Sequence, residues 1–158
     1  MRQVLVMFVC GVLLTCGVSY AESDTAQEVI EAILEGFEYT AENLKGQPDS
    51  YSKDGAIEFW SSGGLMQEIP AHGRFGDFEA FAVQPKHIKV LTLVEGQAAV
   101  AHYYMEGFLK PKGFEAVPHY LTRVTQVYVK EDGRWKIRSS HWSPLAGGSG
   151  TSQTAPEE

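Results

Sequence analysis

The stretch from Leu121 to Pro144, LTRVTQVYVKEDGRWKIRSSHWSP, constrains the chain most, because it reads as a β-hairpin that ends in a polar cluster. Two runs of alternating apolar residues flank Glu131-Asp132-Gly133, and an Asp-Gly pair between such runs is a strong local hairpin signal. A two-residue Asp132-Gly133 loop would pair Val127 with Arg138 and Val129 with Lys136. A three-residue loop, with Gly133 left-handed in a bulge, pairs Val129 with Trp135 and Val127 with Ile137. Only the second gathers apolar residues on one face, and a one-residue slip would turn the whole set over. The sequence therefore predicts the three-residue loop. Followed away from the turn, the same face carries Thr125 beside Ser139 and Arg123 beside His141. An apolar floor grading into Arg, His, Ser and Thr is the make-up of a small-molecule pocket.

The chain opens MRQVLVMFVCGVLLTCGVSYAES. Arg2 precedes an apolar run from Val4 to Val18, and Ser19-Tyr20-Ala21 fits the small-x-small pattern of signal peptidase cleavage. The run is about 15 residues, short of the ~20 needed to span a bilayer. Residues 1–21 are thus expected to be a signal peptide cleaved after Ala21, and the mature protein to be exported, periplasmic or secreted. Leu13-Leu14-Thr15-Cys16 resembles a lipoprotein signal, but Thr15 stands where Gly, Ala or Ser is wanted. Both cysteines, Cys10 and Cys16, lie in this segment. A mature chain without thiols has no disulfide, Cys nucleophile or Cys-ligated metal. Of the 13 Lys and Arg side chains only Arg2 is lost, so 12 stand against 20 Asp and Glu, a formal −8. That balance argues against nucleic acid and anionic membrane surfaces as partners.

Thr25 and Glu28 form a capping-box pattern. Apolar residues then fall at Ala26, Val29, Ile30, Ile33, Leu34, Phe37, Ala41 and Leu44, a helical stripe that Lys45-Gly46 stops. A second helical turn is expected near Asp49 to Lys53. Ile57 to Ser61 and Leu65 to Ile69 flank Ser62-Gly63-Gly64 and read as a small hairpin. A short helix is expected after Gly76-Asp77, with Phe78, Phe81 and Ala82 on one side and Pro85 at its end. Strands follow at His87–Val94, Gln97–Phe108, Tyr120–Lys130 and Arg134–Ser143. From Ala146 the composition turns to Gly, Ser, Thr and Glu, the make-up of a disordered tail. The expected organisation is one domain over 22–145 and a tail over 146–158. Helices gathered on one face of an antiparallel sheet make it an α+β domain.

The strand Gln97–Phe108 is apolar on both faces. Ala99, Ala101, Tyr103 and Met105 lie on one, and Ala98, Val100, His102 and Tyr104 on the other. A sheet covered only by its own helices should be polar outside, so a homodimer packed sheet to sheet is expected.

Three strings carry a family resemblance: Tyr51 to Glu58, the pair Arg123 to Tyr128 with Asp132 to Ile137, and the closing Ser139 to Ser143. In this order and spacing they resemble the nuclear transport factor 2-like superfamily, with its ketosteroid isomerase-like and SnoaL-like members. The closing string is similar to the end of the calcium/calmodulin-dependent kinase association domain. The resemblance implies a cystatin-like cone, a curved antiparallel sheet wrapped around the long helix. It implies no activity, because one cone hosts isomerases, dehydratases, cyclases and binding modules.

A ketosteroid isomerase-like mechanism needs a carboxylate base, whose place by resemblance falls on Phe59. Glu58 beside it is expected on the other face of its strand. Dehydratase-like chemistry would use His141 as base with Tyr103, if the two converge. A buried Arg123 would pair with a helix acid such as Glu38 or Glu42, or hold an anionic ligand. Phe59 and Trp60 could wall the pocket mouth, while Trp135 reads as core. The expected ligand-binding set is Phe59, Trp60, Tyr103, Met105, Arg123, Thr125, Ser139 and His141. His72, His87, His102, His119 and His141 lack ligand spacing, with parity placing His102 and His141 on opposite faces, so no metal is expected. No cofactor is implied. The sequence reads as an exported domain binding a small organic ligand, an anionic one being what Arg123 would suit. Its rivals are a SnoaL-like isomerase, dehydratase or cyclase using His141 and Tyr103, and a non-catalytic dimeric assembly module.

Overall fold

The computed structural model describes residues 24–145. The expected signal peptide and tail lie outside them. The element order is α1 (Asp24–Asn43), β1 (Ala56–Phe59), β2 (Gln67–Ile69), β3 (Phe78–Val94), β4 (Ala98–Pro111), β5 (Val117–Glu131) and β6 (Arg134–Pro144). The strands form one open sheet in the order β2-β1-β6-β5-β4-β3. All neighbours are antiparallel except β1 and β6, which makes the sheet mixed. It curves around one helix, the α+β cone that the sequence led us to expect.

The apolar stripe of α1 faces the sheet, with Val29 and Ile33 buried against Phe81, Ala99, Ala101, Tyr103 and Met105. Burying one such large side chain contributes about 1.5–3 kcal/mol. An exposed ion pair contributes about 0–1 kcal/mol. This inner face therefore holds helix to sheet. The expected capping box is not formed. The Thr25 hydroxyl instead donates to Glu95 Oε1 at 2.6 Å and accepts from the Gly96 amide at 2.7 Å, tying the start of α1 to the β3–β4 turn.

Two expected helices are absent. Residues 49–53 form turns, with Asp49 left-handed at φ 56°. Their backbone docks on β6 through Ser52 N–H to Ile137 O and Ile137 N–H to Ser50 O, both 2.9 Å. The segment around Phe78 and Phe81 is the start of β3. A register shift between Phe78 and Ala80 inserts one residue, so two inward rings fall three positions apart and imitate a helical spacing. Pro85 does not end the element, because β3 is an edge strand and can forgo an N–H on its open side.

The hairpin register differs from the expected one. Asp132 and Gly133, at φ 49° and 76°, form a two-residue loop between Glu131 and Arg134. Val129 then faces Lys136, as that loop requires. A bulge at Arg138 resets the pairing, so Val127 faces Ser139, Thr125 faces His141 and Arg123 faces Ser143. The side turned to α1 therefore carries Thr122, Val124, Gln126 and Tyr128, all buried. In β4, Gly107 at φ 152° marks a further irregularity, where a Cβ would collide with the Ala82 carbonyl oxygen.

Candidate functional site

Between α1 and the inner sheet face lies a cavity of about 410 Å³. Its apolar walls include Ile33, Phe37, Phe75, Phe81, Met105 and Trp142. Phe37 meets Tyr103 edge-on at 6.3 Å, and Phe75 stacks on Trp142 at 5.8 Å. Gly36, in the middle of α1, also lines it, and a Cβ there would meet only Gln47 Oε1, at an ordinary 3.7 Å.

Three polar side chains of the lining, Tyr103, Gln126 and Tyr128, form a bonded group. Tyr103 and Tyr128 both donate to Gln126 Oε1, at 2.6 and 2.7 Å, and Gln126 Nε2 donates to Ser140 Oγ at 3.1 Å. Burial raises the pKa of both phenols, so both hydroxyls stay protonated at neutral pH. Behind this group Tyr51 donates to Glu58 Oε1 at 2.9 Å. Glu58 is fully buried, and its Oε2 makes no hydrogen bond of good geometry. Burial raises its pKa, opposed by its register partner Ser140 and by Tyr51. Two further buried polar atoms on the cavity lining lack partners among the described residues: Trp142 Nε1 and Ser50 Oγ.

Every base on the lining is paired. Lys130 meets Glu28 at 2.6 Å, while Lys136 and Arg134 meet Asp49 at 2.6 and 2.5 Å. The Lys130 and Trp135 hydrogen bonds hold Glu28 below the usual carboxylate range. Those of Lys136 and His72, in that order, do the same for Asp49. The cavity therefore offers an aromatic wall, three tyrosine oxygens (Tyr51, Tyr103 and Tyr128) whose protons are committed elsewhere, the α1 carboxylates Glu31 and Glu35, and no free cation.

Of the expected ligand-binding residues, only Tyr103 and Met105 line this cavity. Arg123 and Thr125 lie on the outer face because the two-residue loop turns Tyr128, Gln126 and Val124 inward, and Ser139 and His141 join them because the Arg138 bulge reverses the parity of β6. Arg123 is exposed and meets Ser143 Oγ at 2.9 Å, not Glu38 or Glu42. Phe59 also points outward, edge-on to His141 at 5.6 Å. Trp60 stacks on Phe75 at 5.7 Å and so touches the wall from behind. Tyr103 and His141 face opposite sides of the sheet and do not converge. His102 and His141, by contrast, share the outer face with Thr125 between them. Glu58, expected on the face opposite the pocket, points inward. Trp135 is half-buried, donating to Glu28 at 2.8 Å. Sequence reasoning missed Tyr51, Gln126, Tyr128 and Trp142. The alternation Thr122, Val124, Gln126, Tyr128, read on its own parity, was the signal for two of them.

No protein-family model matches the chain, and no curated protein matches it. Solved structures do. A nuclear transport factor 2-like superfamily protein from Salmonella enterica serovar Typhimurium aligns at 19% identity and TM-score 0.54, over 80% of this chain and 96% of its own. A nuclear transport factor 2-like protein of unknown function from Pseudomonas putida aligns at 18% and 0.54, over 75% and 85%. The provisionally named calcium/calmodulin-dependent kinase II association domain from Exiguobacterium sibiricum aligns at 14% and 0.55, over 81% and 98%. With one helix among the described residues cupped in a six-stranded open sheet, this protein has the fold of the nuclear transport factor 2-like superfamily.

Proposed function

We propose that the protein is an exported domain that binds a small, uncharged, largely apolar organic ligand in the cavity beneath α1. The observation that carries this reading is that cavity, walled by aromatic rings and lined by the unpartnered Trp142 Nε1 and Ser50 Oγ. Buried polar atoms without partners cost about 1–3 kcal/mol each. A ligand or ordered water that reaches them recovers part of that. The paired state of Lys130, Arg134 and Lys136 removes the reason to expect an anionic ligand here. Acid–base chemistry by His141 with Tyr103 has no support, since the two lie on opposite faces. Export rests on the Ser19-Tyr20-Ala21 pattern, and N-terminal sequencing of secreted protein should begin at Glu22.

The test is titration of the mature protein with the uncharged fluorophore N-phenyl-1-naphthylamine, with mass spectrometry of small molecules that co-purify. Saturable one-to-one binding, quenching Trp fluorescence, is expected. A linear, non-saturating signal would sink the reading.

The outer face favours a second reading, assembly as a homodimer. Leu91, Leu93 and Val94 are 58, 59 and 49% exposed there, beside Val100 and Val127. An association-domain protein is among the structural neighbours. Leu91→Asp should lower the sedimenting mass toward the monomer. A wild type that is monomeric at high concentration would remove this reading.

A further inference from the structure

The outer face divides into two unlike halves. One register row runs Ile57, Ser139, Val127, Val100, Leu91 across five strands and is apolar apart from Ser139. The next row runs Phe59, His141, Thr125, His102, Lys89. The row beyond it places Ser143, Arg123, Tyr104 and Lys86 side by side. The last two rows enclose a shallow depression lined by Lys89, His102, Arg123, Thr125 and His141, with His87 at its rim. No Asp or Glu lines it. The nearest acid on this face of β4, Glu106, lies one row further out. In a chain with 20 acids and 13 bases, a depression walled by cations and imidazoles without one carboxylate runs against the overall balance.

The donors are unspent. Arg123 uses Nε on Ser143 Oγ, at 2.9 Å, which fixes the plane of its guanidinium. Among the described residues its two Nη groups meet no acceptor. His102 uses Nδ1 on Thr125 Oγ1, at 3.0 Å, leaving Nε2 open. Lys89 has no ion-pair partner among the described residues. With the His141 imidazole, these groups come from β3, β4, β5 and β6. Donors arriving from four strands suit an acceptor with oxygens in several directions better than a flat two-oxygen carboxylate. Guanidinium in particular binds such groups through paired hydrogen bonds.

The geometry points to a second binding site here, on the outer face centred on Arg123 and His102, for a tetrahedral oxyanion such as a phosphate or sulfate group. It is independent of the cavity beneath α1 and is separated from it by the thickness of the sheet. The apolar row beside it leaves room for a phosphate that is part of a larger molecule.

The experiment uses the mature protein and inorganic phosphate, with ionic strength held constant by chloride, and reads amide shifts by NMR. Saturable shifts centred on residues 102–104 and 123–125 are expected, with a dissociation constant in the millimolar range. Arg123→Gln should weaken binding about tenfold or more, since charge-assisted contacts to Arg are lost. Lys89→Gln should weaken it less. Both side chains are exposed, so both variants should fold. A second arm uses vesicles of phosphatidylcholine with phosphatidic acid, against phosphatidylcholine alone. Retention on the acidic vesicles that Arg123→Gln abolishes, without binding of free phosphate, would assign the same oxyanion chemistry to a lipid headgroup. Shifts that rise linearly with phosphate and no vesicle retention would overturn the proposal. So would binding that Arg123→Gln leaves unchanged.

Discussion

The hydroxyl of Tyr51 donates to Oε1 of Glu58 across 2.9 Å, in space that solvent does not reach. No cation among the described residues faces that carboxyl. Its neighbours Tyr51 and Ser140 are uncharged, so burial dominates and the proton is held more tightly than in the unfolded chain.

Stability should therefore fall with rising pH over a definite window. The folded pKa of Glu58 is raised above its ordinary 4.5. The folded state then binds more protons than the unfolded state once pH exceeds that value. The contribution is complete below 4.5 and is lost as pH rises through the raised native value. Glu58→Gln should flatten this part of the pH–stability curve, read by urea unfolding at a series of pH values. Tyr51→Phe should cost about 1–3 kcal/mol, because it leaves a buried acceptor bare. An unchanged slope in Glu58→Gln would show that another group titrates.

Asp49 predicts the opposite sign. Lys136 and His72 lower its pKa from the ordinary 3.8, so its contribution is present above 3.8 and is lost as pH falls through the lower native value. Lys136 is almost wholly buried, and the 49–51 turn is its partner through both the Asp49 side chain and its carbonyl oxygen. Asp49→Asn should lower the thermal midpoint more than His72→Ala does. It should also remove the acid-side decline that Asp49 causes.

Gly36 should separate cavity function from helix stability. A glycine inside a helix costs about 1 kcal/mol relative to alanine. Nothing crowds a Cβ at this position, so packing does not demand glycine. Gly36→Ala should raise stability by up to about 1 kcal/mol. Gly36→Leu should place a side chain in the cavity, keep the fold, and abolish binding of N-phenyl-1-naphthylamine. Binding that survives Gly36→Leu would place the probe elsewhere.

The helix and the inner side of β4 were legible because their periods are long and uninterrupted: Val29, Ile33 and Phe37 in one, Ala99 to Met105 in the other. The site was not, and a single residue explains most of the difference. Arg138 forms the bulge that, after a two-residue loop, brings Ser140 and Trp142 to the inner face opposite Gln126 and Val124, and nothing in the sequence marks it as unpaired. Without it, the loop that forms looks wrong, and the alternative moves Arg123, Thr125 and His141 indoors. The same inversion hid Glu58, whose side is set by pairing with Ser140 on β6. Phe78 and Phe81 misled for a related reason, since an inserted residue in a strand gives the three-residue spacing of a helix.

The start of α1 should depend on one polar junction. Thr25 bonds Glu95 through both its amide and its hydroxyl, and that hydroxyl also accepts from the Gly96 amide. Thr25 is buried although the β3–β4 turn itself is exposed. Thr25→Val keeps the shape and removes the hydroxyl, leaving the Gly96 N–H and one bond to Glu95 unmade. It should cost about 1–3 kcal/mol. Glu95→Ala removes the other half of the same bonds. Because each change spends what the other would have lost, the double variant should fall short of the sum by about 0.5 kcal/mol or more. Hydrogen exchange at Val29 should quicken in each single variant, since the first turns of α1 then open without opening the sheet. Additive losses in denaturant, with Val29 exchange unmoved, would show that the junction does not hold the helix.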